Sequence, residues 1–560
     1  MNSENTSKKE LLYTISKRAA AISAVFAVIL SILLIANTIQ THSIDPLNSQ
    51  ALNELMRQLQ ENPDDAALQQ QIRALDLLAR KAYFTHQWQL RTGGLLLFVS
   101  VLVLLISLKY ISSLRPQLPN FSQSKEENSW ETKLLARRYI IYSGLGIFIV
   151  AFVLSVFSQT QLKERRIKAS FASMREMRDN WPSFRGPDGL GLAYHTDVPT
   201  TWNGESGENI KWKVPVAKPG LNSPIIWKKK VFLSGADEES QEVYCYDADS
   251  GELLWTTELN DIPGSPEEAP DVTEDTGFAA PTMATDGERL YVIFATGDLA
   301  CLDFDGERVW VKNLGMPDNH YGHSSSLFTY QHILLVQYDT NEEKHLMGFH
   351  GATGEQLYAT PREDMQISWA SPVVVQESAE ARDQVILSTT PYVIGYDPAN
   401  GQELWRINCM DAEVGPSVAY ADGWVYAANE YARLAAIKLE GTAHIAWEYE
   451  DDLPEASSPV ATPNFLIMAS SYGTVTCLDT KSGDVHWTQE VDEGFYSSPI
   501  IAGQDVFVMD RDGVMHIFKL SNEFTAVASN ELGERSDTVP AFMHGRIYIR
   551  GEEHLFCIGN

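Results

Sequence analysis

The chain has 560 residues with 43 Lys/Arg against 74 Asp/Glu, a formal net charge of −31. Residues 1–180 carry 21 basic and 14 acidic side chains, leaving 22 and 60 for residues 181–560. So acidic a C-terminal part repels phosphate backbones and excludes nucleic acid as its partner; it suits a soluble domain in a salty or extracytoplasmic medium, or a docking face for a basic partner.

After a tail at 1–18 carrying Lys8, Lys9, Lys17 and Arg18, three apolar stretches occur before residue 165. Between Arg18 and Asp45, Arg91 and Lys109, and Arg138 and Lys163 lie 26, 17 and 24 uncharged residues. A helix of about 20 apolar residues spans a bilayer. The stretches therefore predict an all-α three-helix transmembrane region within 19–162, with spans at about 19–41, 92–110 and 139–161. No small-x-small cleavage site follows the first, so it reads as retained. Between the first two spans, Leu52, Leu55 and Leu59, a break at Asn62-Pro63-Asp64-Asp65, and Leu68, Ile72 and Leu75 predict a helical hairpin over 46–83. Basic residues in the tail and in the 109–138 loop favour a cytoplasmic placement for both, whereas the basic run from Lys163 to Arg178 opposes it. That run falls in a linker expected at 163–180.

From about 181 onward one pattern recurs. Ser223-Pro224, Val231-Phe232-Leu233, Tyr246-Asp247, Gly251 and Trp255 match Ser371-Pro372, Val385-Ile386-Leu387, Tyr396-Asp397, Gly401 and Trp405. Matching points fall at Pro224, Pro281, Ser326, Pro372, Pro416, Pro459, Pro499 and Pro540, at 40- to 57-residue intervals, the length of a four-stranded propeller blade. Short β-branched and aromatic runs between Gly/Asp turns predict antiparallel strands. The expected fold is an all-β eight-bladed β-propeller over 181–560, or seven blades if the weak repeat near Ser326 is distorted. Trp255, Trp310, Tyr358, Trp405 and Trp487 each follow the turn glycine by four residues and are expected to wedge one blade against the next. The last repeat supplies three strands, and Asn209–Pro215 is expected to supply the fourth and close the ring.

The repeat of strand, Leu-Asp or Tyr-Asp, turn, Gly and Trp resembles the pyrroloquinoline-quinone (PQQ) repeat. Trp181-Pro182-Ser183-Phe184-Arg185-Gly186-Pro187, Gly277-Phe278-Ala279-Ala280-Pro281 and Trp369-Ala370-Ser371-Pro372 resemble segments of bacterial PQQ-like propellers, and the closed eight-bladed ring resembles the BamB-like ones. This resemblance implies an extracytoplasmic propeller displayed from the bacterial inner membrane, acting as a non-catalytic scaffold for protein partners. Its alternative implication is an alcohol or sugar oxidoreductase holding PQQ with Ca²⁺ and passing electrons to the membrane; a ligand sensor acting through the anchor is a third. Quinoproteins of this kind typically carry an adjacent-cysteine disulfide, and this chain has no Cys-Cys pair and no C-x-x-C-H haem attachment. Cys245, Cys301, Cys477 and Cys557 share one repeat position and read as core fillers, with Cys409 alone between repeats.

No catalytic and no metal-ligating set is expected, and no cofactor under the scaffold reading. Asp303-Phe304-Asp305-Gly306 and Asp510-Arg511-Asp512-Gly513 lack the further ligands of a calcium loop and read as turns, and the His320/His323 pair lacks a third ligand. Glu274, Thr276, His320, His323, Trp369 and Glu413 precede repeat starts, and as residues of the channel rim they are the expected contacts for a small ligand or peptide.

Overall fold

A strand that is buried on both sides reads as a continuous apolar run, whereas one facing water on one side alternates. Both patterns occur inside one repeat. Lys230–Ala236 and Gln241–Asp247 are buried almost throughout, while Leu253–Glu258 alternates between exposed and half-buried positions. The repeat therefore folds as a sheet whose inner strands are covered by neighbouring sheets and whose last strand faces solvent. The computed structural model describes residues 12–27, 30, 100–114, 171–341, 343–375 and 382–559.

Eight sheets follow in chain order, each with four antiparallel strands and one also carrying a fifth, parallel strand. Blade 1 comprises Ile225–Trp227, Lys230–Ala236, Gln241–Asp247 and Leu253–Glu258. Blades 2 to 7 run from Ala284 to Asn313, Phe328 to Pro361, Val373 to Asn408, Ala419 to Tyr449, Val460 to Glu490 and Ile500 to Glu531. Blade 8 combines Ala541–Met543, Arg546–Arg550 and His554–Gly559 with Ile210–Pro215, which pairs antiparallel with His554–Gly559 and closes the ring. Blade 3, which begins at the weak repeat, is regular, with two seven-residue strands at its centre. That settles the count at eight.

The turn glycines have a second duty besides positive φ. At Gly251 (φ 74°) an added Cβ would meet the Trp212 indole at 2.8 Å, and at Gly354 (φ 68°) the Trp310 indole at 2.7 Å. Trp212, Trp255, Trp310, Tyr358 and Trp447 thus lie on the turn glycine of the following blade, whereas Trp487 meets Phe524 in a turn without glycine; the N–H or O–H of these aromatics donates to a turn carbonyl there. Trp255 reaches Phe304 O, Trp310 Gly351 O, Tyr358 Pro398 O and Trp487 Ser521 O, at 2.7–3.1 Å. Trp447 does the same with Thr480 O. Trp405 departs from the pattern: its N–H donates to Gln384 in its own blade, because the next turn, at Gly441, is shaped differently and leaves nothing within 4 Å of that position.

The chain divides into two compact units, 1–149 and 150–560. In the first, the described residues are helical at 12–27 and 100–114. Among the described residues no helix is long and apolar enough to cross a membrane. The expected three-helix anchor thus finds no support in the described residues. Its third span, 139–161, and the hairpin at 46–83 lie outside them, and the first two spans lie there in part. In the second unit the chain packs on the propeller within the expected linker. Ala172 N donates to Asp286 O, and Ser173 caps a short helix, Met174–Arg178, with a capping box to Glu176.

Candidate functional site

Each blade's first strand begins near one end of the central channel and turns back at the other. The turn end is where the chain enters, and there the sequence places a stopper. Trp181 pairs with Ile226 of blade 1 in both directions, Thr285 N of blade 2 donates to Pro182 O, and Ile501 N of blade 7 donates to Gly191 O. Leu192–Ala193 then runs parallel to Ile500–Ala502 as a fifth strand on the channel side. At the centre is Arg185, fully buried, donating to Leu190 O, Val418 O and Pro459 O. Among the described residues it has no carboxylate partner, and burial pushes its guanidinium down to about 9. The motif that carried the family resemblance is thus a plug in the channel.

Immediately on the mouth side lies a ring of hydroxyls. Ser223 N donates to Thr282 Oγ1, Thr282 N to Ser326 Oγ, Ser326 N to Ser371 Oγ, Ser371 N to Ser417 Oγ, Ser417 N to Ser458 Oγ and Ser458 N to Ser498 Oγ. Val539, at the eighth position, has no hydroxyl, but its N–H donates to Ser223 Oγ. All seven bonds are 2.9–3.1 Å and each joins one blade to the next. The serine of the Ser-Pro signature is therefore a ring position. Pro281 and Pro416 precede that position whereas Pro224 follows it, so those two matching points are displaced by two residues.

The open mouth is built from the loops that enter the first strands. The longest, between Glu258 and Ala284, accounts for the 57-residue repeat; its Thr273 N donates to His320 O, and its Asp275 pairs with Arg511 of blade 7 at 3.0 Å. Beside it is a cleft of about 730 Å³. Of the six expected rim residues, His320, Trp369 and Glu413 line this cleft, together with Met316, Asn319 and Lys344 among others. Trp369 is half-buried and its indole N–H has no partner. Glu274 is exposed on the long loop, and Thr276 turns back onto Thr273. His323 stands apart from a ligand-facing role: it is 4% exposed, stacks on Tyr338 at 6.1 Å, and burial pushes its imidazole down to about 4.

Sequence reasoning missed Tyr321, which packs edge-on against Trp369 with ring centroids 4.5 Å apart and donates to Glu413 Oε2 at 3.4 Å. It also missed Tyr496, over whose ring the Arg511 guanidinium sits at 3.9 Å while pairing with Asp537 at 3.1 Å. Tyr321 lies in the loop before blade 3 and Tyr496 in the loop before blade 7, and nothing in their spacing marks them. Burial first, then the nearby carboxylates Glu413, Glu455 and Asp275, push the Tyr321 phenol up. The faint calcium loops are turns: Asp303 Oδ1 accepts from the amides of Asp305 and Glu307, and Asp510 from Val514 N and His516 Nε2. The five cysteines are separate, buried and unbridged.

Four segments of the chain, 193–320, 239–447, 389–462 and 445–523, match the family model described as "Outer membrane protein assembly factor BamB". The chain is 20% identical over 292 residues to the outer membrane protein assembly factor BamB of Yersinia pestis, covering 48% of this chain and 71% of that one. Among solved structures, BamB from Moraxella catarrhalis is 15% identical with a TM-score of 0.47, covering 63% of this chain and 97% of that one. The quinohemoprotein alcohol dehydrogenase from Comamonas testosteroni is 11% identical with a TM-score of 0.53, covering 71% and 82%. The latter likeness is one of fold.

Proposed function

This chain belongs to the PQQ-repeat family described as outer membrane protein assembly factor BamB, and from that premise we propose that its propeller is a non-catalytic module that binds protein partners through the loops of its open mouth. The observation that carries the reading is the form of the channel. The buried Trp181–Gly191 segment fills it from the turn end, so that what remains open is a surface of long loops, aromatic rings and carboxylates. Such a surface suits a peptide segment or loop laid across it.

The charge at the mouth speaks for a protein-binding surface over a site for PQQ. A tricarboxylate entering the mouth meets Asp275, Glu413, Glu455 and Asp537, of which Asp275 and Asp537 already share Arg511. Among the described residues no group of three His, Cys, Asp or Glu has the arrangement to hold a metal ion. Burial pushes the thiols of Cys245, Cys409, Cys477 and Cys557 up to about 12, away from redox reactivity. Membrane tethering and an extracytoplasmic setting belong to the proposal as well, resting on the apolar sequences of 19–41, 92–110 and 139–161 and on the family.

A photo-crosslinking amino acid at Met316, exposed in the cleft, is expected to capture a protein in cells. The same group at Val485, exposed on the outermost strand of blade 6, is expected to capture far less. Micromolar PQQ binding with dye-linked oxidation of alcohols or sugars would overturn the reading.

A further inference from the structure

We propose that Tyr321, Trp369 and Glu413 form a receptor for one cationic side chain, arginine or lysine, of a protein segment bound at the mouth; this rests on the protein-binding reading above and names the chemistry that the site selects. The mouth holds two constellations of aromatic ring and carboxylates. In the first, the ring is Tyr496 and the carboxylates are Asp275 and Asp537, and a guanidinium from the protein itself, Arg511, lies 3.9 Å over the ring while pairing with both acids. In the second, Tyr321 and Trp369 stand nearly perpendicular, at 76°, and Glu413 is held at their edge by the Tyr321 hydroxyl. Among the described residues Glu413 forms no ion pair; the second constellation lacks the cation that completes the first.

Three further observations set the ligand class. The cleft that opens beside Trp369 and Glu413 has room for a long side chain and the backbone carrying it. Of the charged side chains lining the cleft, Asp271, Asp318 and Glu413 are acidic and Lys344 is basic; Lys344 donates to Asn341 O, and Asp318 accepts from the Asn341 amide. Glu455 adds a second negative charge, near enough to act on the Tyr321 phenol. An aromatic face next to uncompensated carboxylates attracts cations and rejects anions. The surrounding domain, with 60 acidic against 22 basic residues over 181–560, steers basic segments toward it.

The test titrates the full chain with a fluorescent Gly-Arg-Gly-Arg-Gly peptide and with its citrulline isostere, which keeps shape and loses charge. The arginine peptide is expected to bind at least about tenfold more tightly, and increasing salt is expected to weaken it. Glu413 is exposed, so Glu413→Gln leaves the fold intact and is expected to weaken the arginine peptide about fivefold or more. Trp369→Ala is expected to cost roughly 3- to 30-fold, and Trp369→Phe much less. Arg511→Gln vacates the first constellation and is expected to add a second, independent peptide site. Equal binding of the citrulline peptide, an unchanged affinity in Glu413→Gln, or spermidine binding as tightly as the peptide would each overturn the proposal. If the Met316 crosslink to a partner forms in the unsubstituted chain while the arginine peptide fails to bind that chain, the cation receptor is refuted and the protein-binding reading stands. Loss of the crosslink at every mouth position refutes the broader reading.

Discussion

Replacing Ser371 by alanine removes the acceptor for the Ser326 amide, a 3.0 Å bond between two positions that are 6% and 8% exposed. No water reaches that amide readily, so the variant leaves a buried donor unsatisfied at a cost of about 1–3 kcal/mol. The effect on the melting temperature is small, because unfolding entropy grows with chain length and spreads the loss over a large domain. The local effect is large. If the Ser326 amide exchanges with solvent by opening of the blade 3–4 junction, 1–3 kcal/mol corresponds to an acceleration of about 5- to 150-fold. Hydrogen-exchange mass spectrometry on the peptide containing Ser326 reads this directly, with blade 6 peptides as the internal reference. Thr282 holds the same ring position in blade 2, so Ser371→Thr supplies the hydroxyl and is expected to restore protection. Unchanged exchange in Ser371→Ala, or a threonine variant as fast as the alanine one, would refute the claim that the hydroxyl ring ties the blades together.

Trp212, on the closing strand, is 9% exposed, donates to Ala248 O at 3.2 Å and covers Gly251. Trp212→Ala is expected to cost about 3–5 kcal/mol and Trp212→Phe about 1 kcal/mol, measured by urea unfolding of the full chain. His323 is held neutral by burial, its folded value of about 4 lying below an unfolded value near 6.5. The unfolded chain therefore takes up a proton that the fold refuses. The stabilisation is complete above pH 6.5 and is lost as pH falls toward 4, by about 3 kcal/mol; His323→Gln is expected to remove this component from the acid limb of the stability profile, and an identical limb contradicts the assignment. The five buried thiols are expected to resist a thiol-specific reagent in the native protein and to react in full once it is unfolded, with no change in electrophoretic mobility under reducing conditions. Reaction of the native protein at the rate of a free thiol would show that the thiols are not buried.

The order of blades, the closing role of Ile210–Pro215 and the wedging of outer-strand aromatics against the next blade were legible in the sequence, because each follows from a pattern within about 45 residues; that the aromatics rest on turn glycines was not. A strand's burial shows in its alternation, a turn in its glycine, and a missing fourth strand in a count. Even there the junction has a part that the sequence could not display: Trp405 matches its equivalents in spacing, yet turns to Gln384 because of the shape of a turn in the next blade. The site was legible in part. Loops preceding the first strands had to rim the channel, which picked out His320, Trp369 and Glu413. His323, three residues from His320, is buried because its backbone has already turned inward to Ala295 O.

The all-β repeat and its closure are written locally along the chain, since hydrophobic alternation, turn residues and blade stacking are near-neighbour properties that each repeat states again. Which repeats meet across the axis emerges only in the folded ring. Tyr321 reaches Glu413 across 92 residues, Asp275 reaches Arg511 across 236, and Arg185 reaches Pro459 across 274. These pairings depend on the angular position that a closed ring assigns to each blade and on the path of the long loop over the mouth. No local pattern encodes either, because both are set by ring closure, a constraint on the whole chain.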